Sequence, residues 1–133
     1  MVGNQMQQIP MNASIHPPYA IFSRQEFYAT IGDDLGLGKE ILAIVLNEIP
    51  TRIRNIQNFI KQCEIASLRS EIHDLKGMVG LLGCASLHQQ IISLKTISQP
   101  ITTDQVISLN TMLDQLKLLE KDLRLFSKTE LQS

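Results

Sequence analysis

The stretch from residue 71 to residue 83 decides how the chain is interpreted, and it reads Glu71-Ile72-His73-Asp74-Leu75-Lys76-Gly77-Met78-Val79-Gly80-Leu81-Leu82-Gly83. Placed on a helix at about 100° per residue, it separates into two faces. The apolar face has the spacing of a helix packed in a bundle, and its members are Leu68, Ile72, Leu75, Val79 and Leu82. The other face carries His73, Lys76, Gly77 and Gly80. Glu71 does not fit this division cleanly, because it projects near the apolar face.

The glycines of the second face indicate a function. Each costs about 1 kcal/mol relative to alanine inside a helix, so Gly77 and Gly80 weaken the helix that carries His73. Gly83 is expected to end that helix as a left-handed cap. Gly77 and Gly80 leave the surface near His73 bare, so that a second protein can bring a reactive group close to the imidazole.

The pattern suggests a histidine that accepts a phosphoryl group from another protein. A mostly neutral imidazole can act as a nucleophile near pH 7. Lys76, one turn along, can stabilise an anion on that ring. Arg69 and Ser70, one turn earlier on the same side, are further candidates for docking or phosphate contact. Leu81 and Met78 are expected to be exposed apolar residues that a partner contacts.

His73, Lys76, Gly77, Gly80 and Gly83 resemble the His-x-x-Lys-Gly-x-x-Gly-x-x-Gly signature of histidine-containing phosphotransfer (HPt) domains. The similarity extends to the order of the predicted helices between residues 22 and 126. Ile72 stands where the family often has alanine, which affects packing more than chemistry.

The resemblance implies a relay of phosphate between receiver-domain aspartates in a multistep two-component pathway, through phospho-His73 at Nε2. The partners would be the receiver domain of a response regulator, a hybrid sensor histidine kinase, or both. The receiver would supply the aspartate and Mg²⁺, so the chain needs no cofactor of its own. We find no Gly-rich phosphate loop, and expect an intermediate without autonomous kinase or ATPase activity.

Composition excludes several classes of protein. The chain has 133 residues, 44% of them hydrophobic, and a net charge of −1, so it lacks the basic field of a nucleic-acid-binding protein. No apolar run approaches the roughly 18 residues of a membrane span, and the start does not resemble a signal peptide. Cys63 and Cys84 form no spaced framework and are expected to be free thiols. We expect a cytoplasmic protein and a monomer.

Periodicity and caps predict an all-α fold, namely an antiparallel up-and-down four-helix bundle with a short additional N-terminal helix. The predicted helices span residues 23–31, 37–62, 65–82, 86–97 and 103–127. The second contains Pro50 and is expected to continue through it with a kink. Residues 1–20 are predicted to be a flexible arm, 21–128 the HPt-like bundle, and 129–133 a frayed tail.

Two other functions fit the same sequence. A non-catalytic helical bundle could bind receiver domains or a histidine kinase and regulate by docking. A metal-binding protein would use Cys84 and His88, which are four residues apart, but a zinc site needs three or four ligands and no motif spacing supplies the others. We therefore expect no metal site, and expect His88 to be a surface or partly packed residue.

Overall fold

Five α-helices make up most of the structure. The computed structural model describes residues 19–94 and 97–131, and within these ranges it contains no strand. The helices are Arg24–Ile31 (α1), Leu35–Lys61 (α2), Ile65–Leu82 (α3), Ala85–Ile92 (α4) and Thr103–Phe126 (α5). The all-α prediction is confirmed. Within the same ranges, no helix is both long enough and apolar enough to cross a bilayer.

The helix starts follow from side-chain caps. Ser23 Oγ accepts a hydrogen bond from the Glu26 backbone N–H at 3.1 Å and caps α1. The Asp34 carboxylate caps α2 in the same way, and this is why α2 begins two residues before the predicted position, with a glycine in its first turn. Thr102 and Gln105 form a reciprocal capping box at the start of α5. These bonds satisfy backbone donors that have no partner inside the helix.

The predicted bounds agree with the structure for α3 and fail most clearly at the end of α4. The bounds of α3 match the prediction, and Gly83 ends it with φ 73° as the expected left-handed cap. The prediction of a single helix through Pro50 is confirmed, because α2 is continuous there. The predicted helix 86–97 is wrong at its C-terminal end, since α4 stops at Ile92 and a turn follows at residues 93–94. Residues 95 and 96 lie outside the described ranges.

The core lies between the apolar faces of all five helices. Helix α3 packs against α1, α2 and α4, and α5 packs against α2 and α4. The whole predicted apolar face of α3 is buried. Phe22 and Phe27 flank the first cap and form a hydrophobic staple, with ring centroids 5.7 Å apart. Because α1, α2 and α4 hold α3 in place, its solvent-exposed side chains, His73 among them, stand on an anchored helix.

A buried carboxylate fixes the segment before α1. Asp122 of α5 is only 4% exposed. Its oxygens accept backbone hydrogen bonds from Ala20 at 3.0 Å, Ile21 at 2.6 Å and Phe22 at 2.9 Å. Tyr19 is buried beside this segment and packs edge-on against Phe22. Within the predicted arm, therefore, Tyr19 is packed on the bundle and the backbone of exposed Ala20 is hydrogen-bonded to it, while residues 1–18 lie outside the described ranges.

The chain continues past α5 as one π-helical turn, Ser127–Leu131. Glu130 of this turn forms an ion pair with Arg24 of α1 at 2.8 Å and accepts a hydrogen bond from the Tyr19 hydroxyl at 3.2 Å. Desolvation by burial, followed by the charge of Glu130, raises the pKa of Tyr19. Residues 129–131 are thus helical where a frayed tail was predicted, because Glu130 has two partners near the start of the chain. Residues 132–133 lie outside the described ranges.

Candidate functional site

His73 projects from the exposed side of α3, between buried Ile72 and Leu75. A groove of about 390 Å³ lies on one side of the imidazole, between α2 and α3. A smaller pocket of about 220 Å³ lies on the other side, between α3 and α4. We refer to these as the α2–α3 groove and the α3–α4 pocket. His73 lines both of them.

The imidazole of His73 has no hydrogen-bond or ion-pair partner in the part of the chain that the structure describes. The side chain is exposed. Both ring nitrogens are therefore available to an external group. An exposed histidine on a helix that is anchored through its other face can be approached by a second protein without moving the backbone.

Lys76 lies one turn after His73 and lines the α3–α4 pocket with it. The residue is half-buried, and no carboxylate among the described residues lies within ion-pair distance of it. Its charge is therefore not neutralised internally. An anionic group held on His73 would find this cation on the same side of the helix.

The glycines differ in what surrounds them. At Gly77 an added Cβ would meet nothing within 4 Å, and the residue lines the α2–α3 groove. At Gly80 an added Cβ would lie 3.5 Å from Nε2 of His88, so the imidazole of α4 occupies the space beside this glycine. At Gly83 it would lie 2.7 Å from the Glu26 carbonyl oxygen, where α1 crosses the end of α3. The space beside Gly77 is thus open, whereas the space beside Gly80 is occupied by the His88 side chain of α4.

Arg69 and Ser70 are both exposed. The Arg69 guanidinium donates two hydrogen bonds to the Ile97 carbonyl, the one from Nε at 2.8 Å. Arg69 thereby ties α3 to the segment after α4, which sequence spacing could not predict. It also lines the α3–α4 pocket, so its positive charge stands beside that of Lys76.

The apolar surface near His73 is only partly the one expected. Leu81 is 51% exposed, but Met78 is 6% exposed, so the expectation of an exposed Met78 is wrong. Met78 is buried and lines the groove between α2 and α3 instead. Sequence reasoning missed Ile44 of α2, which is 57% exposed and lines the same groove. The sequence did offer a signal for this exposure: Ile44 lies outside the apolar face that Leu42 and Val45 define on α2.

Charged residues of the groove were also missed. Arg52 of α2 pairs with Glu48 at 3.0 Å on its own helix and with Glu71 of α3 at 2.9 Å. Asp74 lies 3.9 Å from the same guanidinium. Glu71, which fitted neither face of the predicted helix, is thus a half-buried partner of Arg52. Its partner lies 19 residues earlier in the chain, beyond any helical spacing.

The cysteines and His88 do not form a metal centre in the described part of the chain, where no three metal-ligating side chains cluster. Both cysteines are free thiols, as predicted, with Cys63 exposed and Cys84 buried. Desolvation by burial, with smaller contributions from nearby carboxylates, raises the pKa of the Cys84 thiol to about 12. A thiol with such a pKa stays protonated and is a poor metal ligand near neutral pH.

Comparison with known proteins identifies the family. A family model for the Hpt domain matches residues 40–118, which is more than half of the chain and includes α3 and His73. No curated protein and no solved structure matches the chain. Hpt domains take part in histidine phosphotransfer in phosphorelays, where they interact with receiver domains. The resemblance seen in the His73 motif is confirmed, and the chain belongs to the Hpt domain family.

Proposed function

We propose that this protein relays a phosphoryl group between aspartates of receiver domains in a multistep two-component phosphorelay, with His73 as both acceptor and donor. The observation that carries the proposal is an exposed imidazole, unbonded within the described residues, at the junction of the α2–α3 groove, which has apolar and charged residues, and a cationic pocket. The groove offers a docking surface for the partner, and the pocket offers charge stabilisation for the phosphoryl group.

The transfer itself needs little from this chain. A ring nitrogen of neutral His73 attacks the phosphorus of an aspartyl phosphate; the N–P bond forms as the P–O bond to the aspartate breaks. The carboxylate leaves, and the imidazole N–H proton is lost as the phosphoramidate forms on the other nitrogen. The reverse steps pass the group to the next aspartate. Phosphoryl transfer depends mostly on positioning and charge neutralisation, and Lys76 supplies the latter here, while the receiver provides its own aspartate and Mg²⁺.

The partner, a response regulator or a hybrid sensor kinase, would dock through its receiver domain over the α2–α3 groove. Ile44 and Leu81 offer exposed apolar area on the two helices that border it. Gly77 offers the clearance beside His73. Ser70 and Gly80, which are exposed on α3, are further candidates for contact with the partner. The proposal includes an antiparallel order of α2 to α5 and a monomer that acts in the cytoplasm, where thiols such as Cys63 remain reduced.

The test compares wild type with His73→Gln during incubation with a phosphorylated receiver domain and Mg²⁺, following label on both proteins. We expect acid-labile, base-stable label on wild type and none on the variant. His88→Gln is the matched control, because it removes another imidazole from the same side of the bundle and should keep the label. Label retained by His73→Gln would place the chemistry elsewhere.

A second function uses the same surface without chemistry. The α2–α3 groove would serve equally for a bundle that binds receiver domains or a kinase and regulates by docking alone. The two functions separate in the same variant: His73→Gln would keep the regulatory effect of a pure binding protein and abolish that of a relay.

A further inference from the structure

The two sides of His73 carry opposite charge. On the α2–α3 side, three carboxylates, Glu48, Glu71 and Asp74, surround the single guanidinium of Arg52. Three negative charges and one positive charge give these four side chains together a net charge of −2. On the α3–α4 side stand two cations, Arg69 and Lys76, and no carboxylate of the described residues pairs with either one.

On the groove side, the charged group that a partner can reach most easily is the carboxylate of Asp74. Arg52 is committed to Glu48 and Glu71 by hydrogen bonds, and its side chain is only 20% exposed. Asp74 contacts the guanidinium at 3.9 Å, beyond hydrogen-bond distance, and its side chain is 54% exposed. Asp74 is therefore the least compensated and most accessible charge beside His73 in the groove.

We infer that this asymmetry fixes the orientation of the docked receiver domain, and that Asp74 selects partners with a basic side chain opposite the groove. The inference rests on the proposed function. A phosphoryl group carries close to two negative charges, so Lys76 and Arg69 attract it and Asp74 repels it. Apolar contacts with Ile44 and Leu81 would bury surface area without favouring one orientation of the partner. Complementary charges, in contrast, set the orientation of the docked partner and the rate of association.

The test uses Asp74→Lys and Asp74→Asn, with Asp114→Lys as the matched control. Asp114 is exposed on α5 and lines neither the groove nor the pocket. The probe is a panel of purified, unphosphorylated receiver domains, with Kd measured at about 50 mM and about 500 mM salt, since higher salt screens exposed charges.

At low salt we expect Asp74→Lys to weaken binding about tenfold and Asp74→Asn about threefold, with both effects shrinking at high salt. Asp114→Lys should bind like wild type. Reversing one basic residue on the receiver should restore binding to Asp74→Lys and weaken binding to wild type. Equal affinity of Asp74→Lys and Asp114→Lys at low salt would overturn the inference, as would a loss that salt does not change.

Binding without phosphate separates this inference from the proposed function. If wild type binds receivers but accepts no label, the relay proposal fails and the affinities of the Asp74 variants still decide the charge inference. If wild type accepts label and Asp74→Lys binds normally, only the charge inference fails. If no receiver in the panel binds, both are overturned.

Discussion

Arg52 of α2 donates a hydrogen bond to the Glu71 carboxylate of α3 at 2.9 Å, two residues before His73. The two side chains are 20% and 12% exposed, so the pair is more shielded from solvent than an ordinary surface ion pair. It joins the two helices that border the α2–α3 groove. The groove wall next to His73 is therefore held by a charged contact as well as by apolar packing.

Arg52→Ala should destabilise the fold, because it leaves the half-buried Glu71 carboxylate without its partner. We expect a loss of about 1–3 kcal/mol in the free energy of unfolding, measured by urea denaturation. Arg54→Ala is the matched control on the same helix, since the exposed Arg54 side chain bonds no described residue other than Thr51. Equal stability of the two variants would show that the Arg52–Glu71 pair contributes nothing to the fold.

The sequence predicted those features that depend on neighbouring residues. Helical periodicity alone marks the apolar face of α3, and a local glycine marks its end, so these agreed with the structure. Features that depend on distant residues were missed. The partner of Glu71 lies on another helix, and the donors to Asp122 lie 100 to 102 residues earlier in the chain. No periodic pattern carries that information.

The site shows the same division. The exposure of His73 follows from its position opposite the buried face of its own helix. The burial of Met78 and the approach of His88 to Gly80 follow from where α2 and α4 cross α3. A helical wheel holds only one helix, so it cannot distinguish a bare surface from one that a neighbouring helix covers.

Asp122→Asn should cost about 2–3 kcal/mol of stability, since an amide keeps one acceptor oxygen and turns an N–H₂ group towards backbone donors. Three backbone N–H groups now share the carboxylate, and one of those hydrogen bonds is fully buried. Denaturant unfolding would measure the loss. Asp114→Asn, at an exposed position on the same helix, should change stability by no more than about 0.5 kcal/mol. If Asp122→Asn left the free energy of unfolding unchanged, the hydrogen bonds from the segment before α1 would add no stability.

Gly77→Ala and Gly83→Ala should shift stability in opposite directions. An alanine at Gly77 meets no neighbour, so helix propensity should raise the unfolding free energy by about 1 kcal/mol. An alanine at Gly83 must adopt φ 73° and approach the Glu26 carbonyl, which should cost about 2 kcal/mol or more. Thermal unfolding of both variants would check the signs.

If Gly77 provides clearance for a partner, Gly77→Gln should also slow label transfer from a receiver while keeping the fold.

The two cysteines should differ in reactivity. Cys63 is exposed, so a thiol reagent can reach it. Cys84 is buried, and burial raises the pKa of its thiol to about 12, which keeps the thiol protonated and unreactive. Titration with a chromogenic disulfide at pH 8 should show one fast thiol, and a second only after unfolding. Cys63→Ser should remove the fast reaction. Fast reaction of two thiols in the folded wild type would contradict the burial of Cys84.

The raised pKa of Cys84 also predicts how stability changes with pH. The folded protein holds this proton more tightly than the unfolded chain, whose thiol has the ordinary value of 9.0. The contribution is therefore complete below about pH 9 and falls as pH rises towards 12, by at most about 1.4 kcal/mol per pH unit. Cys84→Ala should reduce this alkaline dependence in equilibrium unfolding. If Cys84→Ala left the pH dependence of the unfolding free energy unchanged, the loss of stability at alkaline pH would come from other groups.

Lys76→Met tests charge stabilisation while keeping an unbranched side chain of similar length. Lys76 shares the α3–α4 pocket with His73 and has no carboxylate partner among the described residues, so removing its charge should leave the fold intact. We expect label transfer to His73 from a phosphorylated receiver to slow about tenfold, equivalent to roughly 1.4 kcal/mol of lost stabilisation. Lys121→Met, at an exposed position of α5, is the matched control. Equal transfer rates for the two variants would remove Lys76 from the transfer chemistry, and Arg69 would then be the cation of α3 that remains beside His73 in the α3–α4 pocket.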